Sequence, residues 1–295
     1  GDVLPELNLP SSLIENLNSV LNRAFSEPDP TKKRLTRAVV IVYDGQLVAE
    51  RYAPGFTENT PLLGYGMTAG VFNALVGILV GWGKLALDKP VSVPEWGNPG
   101  DPRGKITLDH LLRMSSGLLF DDSNPPLTDS VVMFGSADMA SFAALKPLVA
   151  EPGSRFSWSN GTSNIIARII RSAVGGSDAD YFSLPRRALF DRLGMRSAII
   201  EPDVAGTFVG STYMYATARD WARFGLLYLR DGVWEGERIL PEGWVAYSTT
   251  PTPWRSTARK SVSGRTHREP KTGFGGHGQI FRKMLFLLWG MMVRA

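Results

Sequence analysis

The sequence predicts an α/β protein of the α+β layer type. It reads as an antiparallel sheet flanked by helices, with an all-α lobe inserted and the C-terminal strands missing or disrupted. Three observations carry this. The N-terminal part orders as helix, β-hairpin, helix; the middle alternates helical segments with Pro- and Gly-rich loops and has few strand-like runs; and after Pro253 neither strand alternation nor a useful helical stripe continues. The expected division is 1–88 with 240–254 as the layer, 89–239 as a mainly helical lobe, and 255–295 as an atypical tail.

Each element has a local reason. Ser11 and Ser12 precede the apolar-periodic run "LIENLNSVLNRAF", the pattern of an amphipathic helix with a serine N-cap. In "RAVVIVYDGQLVAERYAPG" two β-branched runs flank Asp44-Gly45, and a type I′ turn needs positive φ at both of those positions. Residues 68–87 have helix length, with Gly77, Gly81 and Gly83 weakening the end of the segment. Helical patterns follow in "ITLDHLLRMSSGL", "DMASFAALKPL", "GTSNIIARIIRSAVG" and "LPRRALFDRLGM". Thr217 is the candidate N-cap of "TARDWARFGLLYLRDG", with Gly232 beyond its end, and "GERILPEGWVAYSTT" holds a short helix starting near a proline.

Composition narrows the chemistry. The 295 residues, 43% hydrophobic and 20% charged, are ordinary for a globular protein able to bury a core. The absence of cysteine excludes disulfides, thiolate metal sites and cysteine nucleophiles. His110, His267 and His277 have no partner at helical spacing, so no metal site is expected and His110 reads as a packed structural histidine. The net charge of +4 is uneven: nine of the 32 basic residues and one of the 28 acids fall in 255–295, leaving 23 against 27 elsewhere. That basic tail lacks interleaved aromatics between Arg255 and Lys271, so no nucleic-acid partner is expected. "MLFLLWGMMV" is too short to span a bilayer, which takes about 20 residues, so no transmembrane span is expected. The opening residues show no signal-peptide pattern, and the Gly start suggests removal of something upstream; compartment and oligomeric state stay open.

Four stretches carry a resemblance: "GKLALDKPVSVPEW", "ITLDHLLRMSSGL", "RFSWSNGTSNIIARII" and "YATARDWARFGLLYLRDGVWEGERILPEGWV". They resemble the penicillin-recognising serine hydrolases, a family of class C β-lactamases, DD-peptidases and esterases. The nearest likeness in texture is to 6-aminohexanoate-dimer hydrolases, and it covers most of 37–253. In that family a helix opens with Ser-x-x-Lys. The serine sits at the positive end of the helix dipole, and the lysine on the same face handles its proton. The resemblance further implies a tyrosine from a Tyr-x-Asn segment, oxyanion donors near a closing strand, and no cofactor.

Set against that pattern, "GYGMTAG" places Gly66 at the nucleophile, Ala69 at the lysine and Gly70 at the following serine. "WSN" places Trp158 at the tyrosine, leaving Ser159 and keeping Asn160 as a ligand-facing amide; Tyr65 stands beside them. Nothing catalytic is intact. Glycine has no attacking atom, alanine cannot exchange a proton, and an indole nitrogen only donates. The sequence therefore implies a silent relative of an amide or ester hydrolase. The alternative is a pseudoenzyme holding a small amide, ester or peptide ligand between the lobes, with Asn160 and Trp158 on its wall and Asn160, Ser159 and Tyr65 as candidate ligand-binding residues. Ser115-Ser116-Gly117 reads as a structural turn, and Ser159 as a serine without an activating base. Lys271-Thr272-Gly273 matches the third β-lactamase box in letters but runs into glycines that disfavour strand.

The tail invites a genetic hypothesis. Reading Trp289 to Val293 from the last base of the tryptophan codon yields Gly, then His, Asn, Asp or Tyr, then Asp-Gly, which is close to a pocket motif of the resembled family. A frameshift near Pro253 would produce this, and the gene sequence tests it. On that hypothesis the hairpin loses its sheet neighbours, exposes an edge and an apolar face, and leaves the fold marginally stable. A cooperative urea transition at an ordinary midpoint would count against that.

Overall fold

The computed structural model describes residues 5–122 and 126–252. Helix α1 (Ser11–Phe25) forms where its periodicity predicts, but its cap differs from the expectation. Pro10 holds the N-cap position, with no side-chain cap bond, and its carbonyl accepts from Leu13 and Ile14 N–H at 3.0 and 3.2 Å. Proline's fixed φ supplies the extended entry, so Ser11 and Ser12 lie inside the first turn.

Strands β1 (Ala38–Tyr43) and β2 (Gln46–Tyr52) pair antiparallel around Asp44 and Gly45, whose φ values of +48° and +78° suit the anticipated tight turn. A short strand β3 (Leu62–Leu63) leads into helix α2 (Met67–Gly81), which is buried on every side from Met67 to Leu79 and is the spine of the core. It ends earlier than the pattern to residue 87 suggested. Lys84 N–H reaches back to Leu79 O at 2.9 Å across Gly83, whose φ is +69°, a left-handed C-terminal cap.

Helices α3 (Leu108–Leu112), α4 (Asp129–Phe134), α5 (Met139–Ala144), α6 (Asn160–Val174) and α7 (Asp178–Pro185) form the helical part. A π-helical turn, Arg186–Phe190, joins α7 to α8 (Asp191–Leu193). Most are started by side chains: Thr107, Thr128, Asp138, Ser159 and Ser177 each accept from a backbone N–H of the first turn. His110 completes the capping box of α3 by accepting from Thr107 N–H through Nδ1, and burial lowers its pKa, in keeping with a structural role.

Two strands too short to read from sequence, β4 (Ile199–Ile200) and β5 (Met214–Ala216), pair with β3 in the order β3-β5-β4. This sheet ties the start of α2 to the helical part. Helix α9 (Ala218–Leu229) follows, capped by Thr217 as anticipated, and packs on the β1–β2 hairpin. Helix α10 (Trp244–Thr249) closes against α2. Gly77 makes that contact possible: a Cβ there would stand 2.5 Å from the Trp244 ring.

The hairpin does not expose a bare apolar face. Val40, Leu47 and Leu226 form a small cluster toward α9, while Val39 is 1% exposed on the opposite face, where its cross-strand neighbour Arg51 reaches Asn18 and Asn22 of α1. Helix α9 is also fastened to β2 by Arg219, whose Nε donates to Glu50 at 2.8 Å.

Candidate functional site

The candidate site gathers at the N-terminus of α2. Gly64 N–H donates to Met214 O at 2.7 Å, which fixes the chain to β5 just before the helix. Tyr65 then takes a left-handed φ of +45° and stands 61% exposed. A bulky residue in that region carries strain of roughly 1–3 kcal/mol, held by the anchors on either side. Gly66 is the N-cap of α2 with φ −57° and ψ −16°, a conformation open to any residue. Ala69, one turn in, is 4% exposed.

Trp158 lies directly opposite. Its Cζ2 is 3.9 Å from where a Cβ on Gly66 would stand, and the ring is 37% exposed. The structure thus brings together Gly66 and Trp158, which are far apart in the chain. Sequence reasoning did not identify two further aromatics. Tyr213 stacks on Phe134 of α4 with ring centroids 5.3 Å apart. The phenol of Tyr215 is held above its ordinary value by desolvation first and then by Glu201, Tyr213 and Tyr65. Tyr215 lies in β5 and Tyr213 immediately before it, a signal hidden by the brevity of that strand.

Ser159 is 5% exposed and its Oγ accepts from Thr162 N–H at 3.0 Å, so it serves as the cap of α6. Asn160 begins α6, half-buried, and its Nδ2 donates to Ser130 Oγ of α4 at 2.9 Å. Ser115 and Ser116 are buried in the turn after α3, beside the left-handed Met114 and Gly117. The donors at the start of α2 are partly spent locally: Met67 N–H bonds Gly64 O and Thr68 N–H bonds Tyr65 O. Among the described residues no cluster of His, Cys, Asp and Glu could hold a metal, and no helix is long and apolar enough to cross a membrane. A wide surface depression of about 490 Å³ lined by 98–103 and Leu148 shares no residue with this site. Lys271-Thr272-Gly273 and the basic tail lie outside the described residues.

As built, the helix start is faced by aromatic rings and phenol hydroxyls, while the amide of Asn160, two residues beyond Trp158, is turned to Ser130 of α4. At the three positions the sequence resemblance assigned to nucleophile, lysine and tyrosine, the site offers no attacking oxygen or amine.

Comparison with known proteins places these features. The Beta-lactamase family profile matches residues 21–281, past the limit of Pro253 at which the sequence resemblance was taken to stop, and that limit is corrected accordingly. The 6-aminohexanoate-dimer hydrolase of Paenarthrobacter ureafaciens is 23% identical over 249 residues, covering 80% of this chain and 62% of that protein. A Bacillus anthracis structure described as a 6-aminohexanoate-dimer hydrolase superposes with a TM-score of 0.63 at 26% identity, covering 72% of this chain and 59% of that one. A penicillin binding protein from Bacillus halodurans shares the fold, with a TM-score of 0.61 at 17% identity over 88% of this chain and 81% of its own. The chain spans about six tenths of the length of the first two. With a family match running through most of its length onto this mixed helix and antiparallel-sheet fold, the protein belongs to the beta-lactamase family of serine hydrolases and is related to 6-aminohexanoate-dimer hydrolase.

Proposed function

We propose that this chain is a hydrolase-fold protein that does not perform acyl transfer. One observation carries the reading: at the helix start where the family mounts its nucleophile stands Gly66, where an added Cβ would lie 3.9 Å from Trp158 Cζ2, with the buried methyl of Ala69 one turn on. An acyl-transfer cycle needs an oxygen to attack and a base to take its proton, and members of such a unit fail together when lost. Among the described residues the helix start is still tied to β5, and α6 is still capped by Ser159, so what is proposed to be lost is the chemistry at these positions.

The second reading is a pseudoenzyme that binds a small amide, ester or peptide ligand at this site. It is favoured by the exposure of Tyr65 and Trp158, with the amide of Asn160 two residues beyond Trp158, since exposed aromatics and a fixed polar group are the usual make-up of a recognition surface. Ser159 contributes as the cap that holds α6 and Asn160 in place. A residual hydrolase relying on Ser159 is disfavoured by its burial and its cap bond.

A serine-directed fluorophosphonate probe and p-nitrophenyl acetate turnover test the proposal. The expected result is no covalent label and no turnover above buffer. Gly66→Ser/Ala69→Lys/Trp158→Tyr is the comparison that returns the missing groups. A covalent adduct on the unaltered chain at an enzyme-like rate overturns the silent reading. Saturable binding of an amide without turnover supports the pseudoenzyme.

A further inference from the structure

Asn160 does not stand alone. Its Nδ2 donates to Ser130 Oγ at 2.9 Å, Ser130 Oγ donates to Asp122 Oδ2 at 2.7 Å, and Ser130 N–H donates to Asp122 Oδ1 at 2.8 Å. The chemistry of this chain of bonds fixes its direction. An ionised carboxylate only accepts, and a serine hydroxyl has one proton. With that proton given to Asp122, Ser130 Oγ can only accept from Asn160, so the amide must turn its NH₂ inward and its carbonyl oxygen away. Amide orientation is commonly ambiguous from atom positions alone; here the carboxylate removes the ambiguity. Among the described residues nothing donates to Asn160 Oδ1. Nor is that atom sealed in: the buried side-chain atoms without partners are Asn73 Nδ2, Ser163 Oγ and Trp221 Nε1.

We propose that Asp122 and Ser130 are positioning residues that lock Asn160 with its carbonyl oxygen outward, so that the site selects ligands presenting an N–H donor, such as a secondary amide. This rests on the ligand-binding reading above. A ligand carbonyl facing Oδ1 would meet oxygen against oxygen and could use only the second Nδ2 proton, whereas an amide N–H would complete the unused acceptor.

Titration calorimetry with N-methylbutanamide and methyl butanoate, near-isosteric ligands that differ in N–H against O, tests the lock. Binding of the amide should exceed that of the ester by a factor that falls roughly two- to tenfold in Ser130→Ala, the worth of one hydrogen bond to a partly wet group. In Asp122→Asn the hydroxyl of Ser130 is freed to donate to Asn160, the amide can turn over, and the preference should narrow or reverse. An amide-to-ester ratio unchanged in both variants, with both ligands still binding, overturns the lock and leaves the binding reading standing. Failure of both ligands to bind overturns the binding reading and the proposed selection with it. The orientation itself is read without ligand: one Nδ2 proton of Asn160 should exchange slowly in ¹⁵N NMR and lose that protection in Ser130→Ala. Protection that is absent, or unaltered in the variant, overturns it.

Discussion

Replacing Gly66 by serine returns the attacking atom alone, and the structure says what that should do. The backbone at Gly66 is right-handed helical, at φ −57° and ψ −16°, so a side chain brings no strain. The nearest atom to an added Cβ is Trp158 Cζ2 at 3.9 Å, an ordinary contact, so nothing must move. The unfolded chain loses freedom when glycine is replaced, which favours the variant by about 0.4–1 kcal/mol. The ψ is not the extended one that lets a capping serine reach the N3 N–H, and serine exceeds glycine at an N-cap by only a few tenths of a kcal/mol in any case. Gly66→Ser should therefore fold as well as the parent or better, by up to about 1 kcal/mol in urea melts at constant m. It should stay inert, because Ala69 cannot take a proton and the Trp158 indole nitrogen can only give one. The assay is labelling by the fluorophosphonate probe beside the parent chain. Rapid labelling of this single variant would mean that a base stands within reach which the argument has overlooked. A loss of more than about 1 kcal/mol would mean that the space beside Trp158 is not as described.

Two further outcomes follow from the packing and charges. Gly77→Ala should destabilise by roughly 1–3 kcal/mol: overpacking against the Trp244 ring at 2.5 Å outweighs the ~1 kcal/mol that alanine gains in a helix; an increase in the urea midpoint would refute the contact. Glu50 has its pKa lowered below the ordinary 4.5, chiefly by the hydrogen bond from Arg219. A carboxylate with a depressed folded pKa contributes stability that is present above the unfolded value and lost as pH falls through the folded one. Urea midpoints measured from pH 6 to below pH 4.5 should fall less steeply in Glu50→Gln than in the parent, and identical slopes would show that the pair does not hold β2 to α9.

Some features were legible in the sequence because their causes are local. Asp44-Gly45 needs only its own backbone to make a turn, and Thr217 needs only the next three residues to start α9. The proposal that Gly66, Ala69 and Trp158 stand at the catalytic positions comes from letters, because a chemical role demands particular atoms. Local patterns also misled. Two serines before an apolar run looked like caps, yet Pro10 set the helix entry. The expectation of an uncovered hairpin face came from treating the sheet alone, when α9 packs on one face and Arg51 ties the other to α1.

The sequence by itself thus determined which residues stand at the positions that the family resemblance assigns to catalysis and where the regular elements begin, since composition, periodicity and turn residues act over a few positions. Only the tertiary structure decided what surrounds those positions. It sets Trp158 against Gly66, uses Gly77 to admit Trp244, makes a sheet from strands of two and three residues, and orients Asn160 through Ser130 and Asp122. Each of these depends on atoms distant in the chain meeting within a few ångströms, and distance in space is settled by packing the whole core at once.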